Sequence, residues 1–297
     1  MSDRRLEDLI RQVVLSELGP EPQAPCTSPE PPAAVPLGAP ERVALAKRVA
    51  SWSGLPTPPP PALGTWAPGG ARADYLAQTP ARLGVGRAGL RYRTGTILAF
   101  QAAHAAARDA VASELDEGML KAHGMLHLQS ASQDRREFLV RPDLGRRLSE
   151  ESAALVEQRC LRGPKVQLAA VDGLSATAIN VNLPLVLPRI AEILKAAGVS
   201  LGTPCAVSRG RVAAGDHLAH LTEAEVLCLL VGERPGLNTA ASMGIYVTYM
   251  KVRRFSEAMR FLVSNVHAGG LQPAQGAEQA AALCLQALRE KRTGVEV

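Results

Sequence analysis

The stretch Val226-Leu227-Cys228-Leu229-Leu230-Val231, closed by Gly232-Glu233-Arg234-Pro235-Gly236, decides how this chain folds. A near-continuous apolar run is what a strand shows when helices cover both faces of its sheet. Glu225 to Val231 is therefore the strongest strand candidate, and its neighbours fit the same scheme. Upstream, Val166 to Val171 is a second apolar run that ends at the turn signal Asp172-Gly173. Leu183, Val186, Leu187, Ile190, Ile193, Leu194 and Ala197 then recur at helical spacing, with Asn182 as N-cap and Gly198 at C′. Pro188 interrupts that helix, so it either starts there or is kinked in its first turns. Thr203 to Val207, Gly244 to Met250 and Phe261 to Ser264 read as further strands, and Ala277 to Lys291 as a closing helix. Strand and helix alternate. The expectation is an α/β fold with a Rossmann-like, mostly parallel, doubly wound sheet.

Proline divides the chain. Fourteen of the 22 prolines fall between Pro20 and Pro68, where neither helix nor sheet can run through. Residues 20–69 read as a Pro-rich flexible linker, with one short helix around Glu41 to Trp52. Before it, Leu6, Leu9, Ile10, Val13, Val14 and Leu18 form one apolar stripe, so residues 1–19 read as an amphipathic helix. It either folds back on the main body or docks into a partner's groove, and the long tether favours docking. Residues 70–297 form the α/β body, mainly helical over 70–160 and carrying the sheet over 161–297.

Composition narrows the function classes. Net charge is +5 over 297 residues and aromatics are 3%, which predicts no nucleic-acid partner of the usual kind. No apolar run approaches the ~20 residues of a membrane span, and the charged first 12 residues do not read as a signal peptide. Five scattered cysteines without CxxC spacing suit a reducing cytoplasm.

In open α/β sheets ligands bind at the carboxyl ends of strands. Here those ends carry Asp172-Gly173-Leu174-Ser175, Arg209-Gly210-Arg211-Val212, Gly232-Glu233-Arg234 and Ser264-Asn265-Val266-His267-Ala268-Gly269-Gly270. Glu233, charged and directly after an apolar strand, is either a ligand contact or a rim carboxylate paired with Arg234 or Arg211. Other motifs are weaker. Gly84-Val85-Gly86-Arg87-Ala88-Gly89 matches GxGxxG but lacks a preceding strand. Gly173-Leu174-Ser175 is an incomplete nucleophile elbow, so Ser175 reads as a turn or cap residue. His123 with His127, and His217 with His220 beside Asp216, have metal-like spacing without a full ligand set. Asn265-x-His267-x-x-Gly270 has the spacing of a cobalamin motif in which His ligates cobalt, with Asn in place of Asp, or it is a turn.

Five segments together resemble the ethanolamine ammonia-lyase small subunit (light chain). They are Gly86-Arg87-Ala88-Gly89 with Arg91, Arg93 and Thr94; Arg141-Pro142-Asp143-Leu144-Gly145-Arg146-Arg147-Leu148; Asp172-Gly173-Leu174-Ser175 through Asn182; Leu230 through Leu237; and Ser264-Asn265-Val266-His267 with Gly269-Gly270. The resemblance implies a carbon–nitrogen lyase that converts ethanolamine to acetaldehyde and ammonia by a radical mechanism. It also implies a large subunit that forms a (β/α)8 barrel and holds the substrate, so that no catalytic residue is expected on this chain. Adenosylcobalamin would lie between the two subunits, contacted here by Val212, Glu233 and Leu262. Leu262 stands where the family typically has Cys; a backbone contact survives that change and a thiol contact does not. The family keeps the cofactor's own base on cobalt, which leaves His267 without a metal role. The implied assembly is a hetero-oligomer as large as a dodecamer of six large and six small subunits. Residues 1–19 would direct it into a bacterial microcompartment. A stand-alone nucleotide-dependent oxidoreductase is the alternative; it needs a glycine loop straight after a strand and an acid about 20 residues on.

Overall fold

The computed structural model describes Arg82, Val85, residues 87–252 and residues 256–294. All of these belong to the second of the two units into which the chain divides, Pro60–Val297. The apolar stripe of residues 1–19, the linker and the helix expected at 41–52 lie outside the described residues.

The described part opens with a small hairpin, Arg87–Ala88 (β1) and Arg91–Tyr92 (β2), followed by a long helix, Thr94–Ala112 (α1). Six further strands make one sheet. In spatial order they are Leu126–Gln129 (β3), Cys205–Ser208 (β5), Val166–Val171 (β4), Val226–Gly232 (β6), Met243–Tyr249 (β7) and Phe261–Val266 (β8). The first four are mutually parallel. β7 runs antiparallel to β6, and β8 antiparallel to β7.

The α/β class holds and the sheet is mixed, with two antiparallel pairings that the sequence reading did not anticipate. The reason lies in the connections. A parallel return needs a crossover of a dozen or more residues, usually a helix. Residues 233–242 between β6 and β7 hold no helix, so β7 can only fold back beside β6. The link from β7 to β8, residues 250–260, is also shorter than such a crossover, and β8 pairs antiparallel with β7. Because two reversals restore direction, β8 points the same way as β3, β4, β5 and β6. Five carboxyl ends and the amino end of β7 thus share one rim.

Five of the remaining helices are Glu117–Ala122 (α2), Glu150–Arg159 (α4), Ala176–Ala196 (α5), Val212–Leu221 (α6) and Pro273–Glu290 (α7), with Arg135–Val140 (α3) between α2 and α4. Period-2 alternation sorts the strand residues between two apolar layers. Val166, Leu168, Ala170, Val226, Cys228 and Leu230 pack with α5 and α7, while Ala169, Val171, Leu227, Leu229 and Val231 pack with α4 and α6. Both faces of β4 and β6 are buried, which is why β6 reads as a continuous apolar run and β4 as one interrupted by Gln167 alone.

Helix α5 departs from its sequence reading at the start. Ser175, not Asn182, is the N-cap, with its hydroxyl accepting the Ala178 N–H at 3.1 Å. Asn182 is buried inside the helix, donating to Ala178 O at 2.9 Å and Ala241 O at 2.8 Å. Pro184 and Pro188 both lie within the helix. Each interior proline costs about 3 kcal/mol. Ile179, Leu183, Val186, Leu187, Ile190 and Leu194 are buried on the same helix, each contributing about 1.5–3 kcal/mol, so packing outweighs the two lost bonds. Its far end agrees with the reading: Gly198 follows at φ +73 and closes the helix. By length and composition alone α5 could cross a bilayer, a candidate the apolar-run reading passed over; here Ile179, Leu183, Val186, Leu187, Ile190 and Leu194 lie in the core, while Val181 and Leu185 are exposed.

Candidate cofactor site at the strand ends

Backbone, more than side chains, shapes the rim. Gly173, at φ +53, turns the chain after β4, and a Cβ there would lie 2.3 Å from Gly232 O. A Cβ on Gly232 would lie 2.1 Å from Ser175 O and 2.3 Å from Asp172 O. The two strand ends are thus in direct backbone contact, tied by Leu174 N–H donating to Gly232 O at 3.1 Å. Ser175 is fully buried and its hydroxyl donates to Ala240 O at 2.7 Å, so it caps and braces and is no nucleophile.

Asp172 anchors the next loop. Its side chain is 3% exposed and accepts the backbone N–H groups of Arg209 at 2.8 Å and Gly210 at 2.9 Å. Arg135 from α3 reaches it at 3.1 Å. Burial pushes the Asp172 carboxyl up to about 6, against the pull of the Arg209 amide and the Arg135 guanidinium. Arg209 takes φ +55, a left-handed geometry that a non-glycine residue keeps only when its surroundings hold it. Arg211 N–H donates to Gly145 O at 2.7 Å, and its guanidinium lies 4.4 Å from the Phe138 ring centre. These contacts place Val212, the first residue of α6, half-buried against the α4/α6 layer.

Glu233 extends the β6–β7 ladder by one residue, its N–H donating to Ser242 O at 3.0 Å. Its Oε2 accepts the Ser242 hydroxyl at 2.5 Å, so its partner is this hydroxyl and not Arg234 or Arg211. The other oxygen lies over Gly244. A Cβ on Gly244 would come 2.9 Å from Glu233 Oε1 and 3.4 Å from Leu262 Cδ1. Leu262 pairs with Tyr246 across β7 and β8 and is 49% exposed. Glu233 and Leu262, 29 positions apart in sequence, therefore meet above one glycine. Burial raises the Tyr246 phenol, and the Glu233 charge raises it further.

The other candidate groups have local work. His267 Nδ1 accepts the Gly269 N–H at 3.1 Å, which puts the proton on Nε2, and Nε2 meets Asn265 Oδ1 at 2.9 Å. Asn265 does orient His267, yet both ring nitrogens are spent within the turn. His127 Nε2 meets Ser208 Oγ at 2.8 Å, His217 Nδ1 accepts the Leu148 N–H at 3.1 Å, and Asp216 pairs with Arg260. Gly89 of the GxGxxG match turns the β1–β2 hairpin, which lies outside the six-stranded sheet. That removes the structural basis for the oxidoreductase alternative.

Sequence reading missed Arg135, Ser242 and Gly244. Gly244 carried a signal: a lone glycine among Met243, Ile245, Tyr246 and Val247 marks a close approach.

Residues 71–297 match the family described as Ethanolamine ammonia-lyase light chain. The chain belongs to this family. An ethanolamine ammonia-lyase small subunit from Fusobacterium nucleatum subsp. nucleatum is 43% identical over 223 residues, covering 75% of this chain and 76% of the relative. One from Clostridium perfringens is 42% identical over 227 residues, 76% of this chain and 77% of the relative. One from Clostridium acetobutylicum is 42% identical over 225 residues, 76% of this chain and 93% of the relative. The light-chain match starts just after the proline-rich stretch, so the rim described above lies wholly within it.

Proposed function

We propose that this light chain is the cofactor-holding small subunit of an ethanolamine ammonia-lyase, with adenosylcobalamin held between it and a large subunit that binds ethanolamine. The observation that carries this reading is that Glu233, on the rim that also bears Val212, meets Leu262 over Gly244, with Leu262 reaching it from the amino-terminal part of β8. When bound, adenosylcobalamin supplies the radical chemistry that releases ammonia from ethanolamine and leaves acetaldehyde.

The residues present fit such a group. A corrin ring is a broad apolar plate edged with amides. Glu233 offers a carboxylate fixed in place by Ser242, with Oε1 meeting no donor among the described residues. A fixed carboxylate accepts amide N–H groups strongly. Gly244 lets Glu233 and Leu262 close in where a side chain would stand, and half-exposed Leu262 and half-buried Val212 add apolar contact. These three residues bind and orient; none moves a proton or an electron. Interlocked backbone at Gly173 and Gly232 keeps them from drifting. In layout the parallel half of the sheet, with ligand contacts at its carboxyl ends, is Rossmann-like. We place the enzyme in the cytoplasm, with residues 1–19 as its address to a microcompartment; a fluorescent protein fused to residues 1–20 that stays diffuse in a shell-forming host would remove that last part.

The test is Glu233→Ala in the complex co-purified with the large subunit. A hydrogen bond to a charged group contributes about 1.5–3 kcal/mol, so cobalamin affinity in an absorbance titration should fall roughly ten- to a hundred-fold. Turnover at saturating cofactor should change much less. An unchanged affinity would reduce Glu233 to a structural rim residue.

A further inference from the structure

Helix α1 does not obey the rule that places apolar helices inside. Of its 19 residues only Thr96 and Ala110 are buried. From Thr94 to Ala107 it contains no Lys, Arg, Asp or Glu. A helix of this composition belongs in a core, and an exposed one belongs under charged side chains. Ile97 is 40% exposed and Leu98 58% exposed. The preceding hairpin behaves alike: Leu90 at its tip is 96% exposed and Tyr92 is exposed beside it. At about 1.5 Å per residue, α1 extends nearly 30 Å from end to end.

We propose that the β1–β2 hairpin and the first three turns of α1 form the docking surface for the large subunit. This rests on the function proposed above and adds the face through which the two chains join. Three observations favour that occupant. First, the surface is continuous with the cofactor rim. Arg82 lies 5.0 Å from the Phe100 ring centre on α1 and donates to Leu237 O at 2.9 Å, in the loop that follows Glu233. At its other end, α1 is tied to the start of α5 through Ser113 and Thr177, at 3.0 Å, directly after the Asp172 turn. One chain that closes over the rim can therefore run on across α1. Second, the surface lies inside the light-chain match, whereas residues 1–70 lie outside it. What covers it should then be a protein common to the family, as the large subunit is. Third, Arg87 and Arg91 lie on the hairpin that carries Leu90, and Arg82 lies over Phe100 of α1. The complementary face is an apolar groove edged with Asp and Glu.

Leu90→Asp and Leu98→Glu change exposed side chains, so each full-length chain should fold and melt as the parent does. Co-expressed with the large subunit, each should weaken the complex at least tenfold, read by dilution in analytical ultracentrifugation. Arg91→Glu should weaken it as well and flatten its dependence on salt. Hydrogen exchange supplies a readout that needs no variant: amides of Thr94 to Ala107 should slow when the large subunit is added to the parent chain. Unchanged assembly by all three variants, with unchanged exchange, would overturn the inference. So would Leu98→Glu dissolving a self-associated form of this chain while still binding the large subunit, since the occupant is then a second copy. If the parent pair assembles but shows no cobalamin-dependent acetaldehyde release, the proposed function fails and the docking surface stands. If the parent pair does not assemble, both fail.

Discussion

Replacing Asp172 by Asn should change stability by an amount that depends on pH, and its direction follows from burial. In the folded chain this carboxyl is pushed up to about 6, whereas its ordinary value is 3.8. An acid with a raised folded pKa holds its proton more tightly when folded. Stability therefore falls as pH rises from about 4 to about 6 and is flat above. At 1.36 kcal/mol per pH unit, keeping Asp172 ionised at neutral pH costs roughly 3 kcal/mol relative to its protonated form. Roughly 2 kcal/mol of that falls between pH 4.5 and 7.5. Asn cannot ionise, so the difference in stability between variant and parent must shift in the variant's favour by this amount over that range. For a body of this size the shift is about 4–8 °C in the difference between the two melting temperatures. Melting both proteins by circular dichroism at four pH values measures it, and the Asn variant's own starting level does not matter. A difference that stays constant, or moves the other way, would mean that Arg135 and the Arg209 and Gly210 amides hold Asp172 ionised more strongly than burial opposes it. The carboxylate is thus retained for geometry, since it pins Arg209 in its left-handed conformation and so places Val212.

Gly244→Ala puts a Cβ 2.9 Å from Glu233 Oε1 and should push that carboxylate off its position. Cobalamin affinity should drop about tenfold while the melting temperature moves little, because the displaced atom is at the end of a flexible side chain. His267→Ala should leave cobalamin affinity within about twofold, since both ring nitrogens are engaged inside the turn. A large loss, with altered cobalt hyperfine structure in electron paramagnetic resonance, would restore His267 as a ligand.

Much of the sheet was legible because burial on both faces writes itself into sequence. β4 spans the run Val166 to Val171 that the sequence indicates, and β6 is displaced by one residue. Direction was not legible in the strands. An apolar run looks the same whichever way it points; only the short, helix-free link 233–242 betrays the reversal at β7. β3 escaped notice because Leu126-His127-Leu128-Gln129 is an edge strand with two polar residues of four. The start of α5 was misread because Pro188 and the cap-like Asn182 pointed to a later start, whereas six buried side chains outweigh both Pro184 and Pro188 in the folded chain. At the site, strand-end reasoning reached Glu233 from its position alone. Its pairing with Ser242 and the contact between Asp172 and Arg135 depend on tertiary placement, and nothing local marks them.

The rim and α1 pose the same physical question from two sides. In the proposed complex, side chains that hold a large flat ligand from one face would not be steadied by the ligand's other face until the second chain arrived. Here they are steadied in advance by glycines that let strand ends touch backbone to backbone, and by an ionised carboxylate whose burial opposes folding. Such a half-site is rigid but open. In the proposed complex, closing it would require a partner held firmly enough to exclude water, and Leu262, Val212 and Leu237 offer little apolar surface for that purpose. Helix α1, uncharged from Thr94 to Ala107 and tied to the same rim near both ends, would supply the missing contact area without adding anything to the cofactor site itself. Cofactor binding and subunit assembly should then be separable by mutation: changes over Gly244 act on the first, and changes on α1 act on the second.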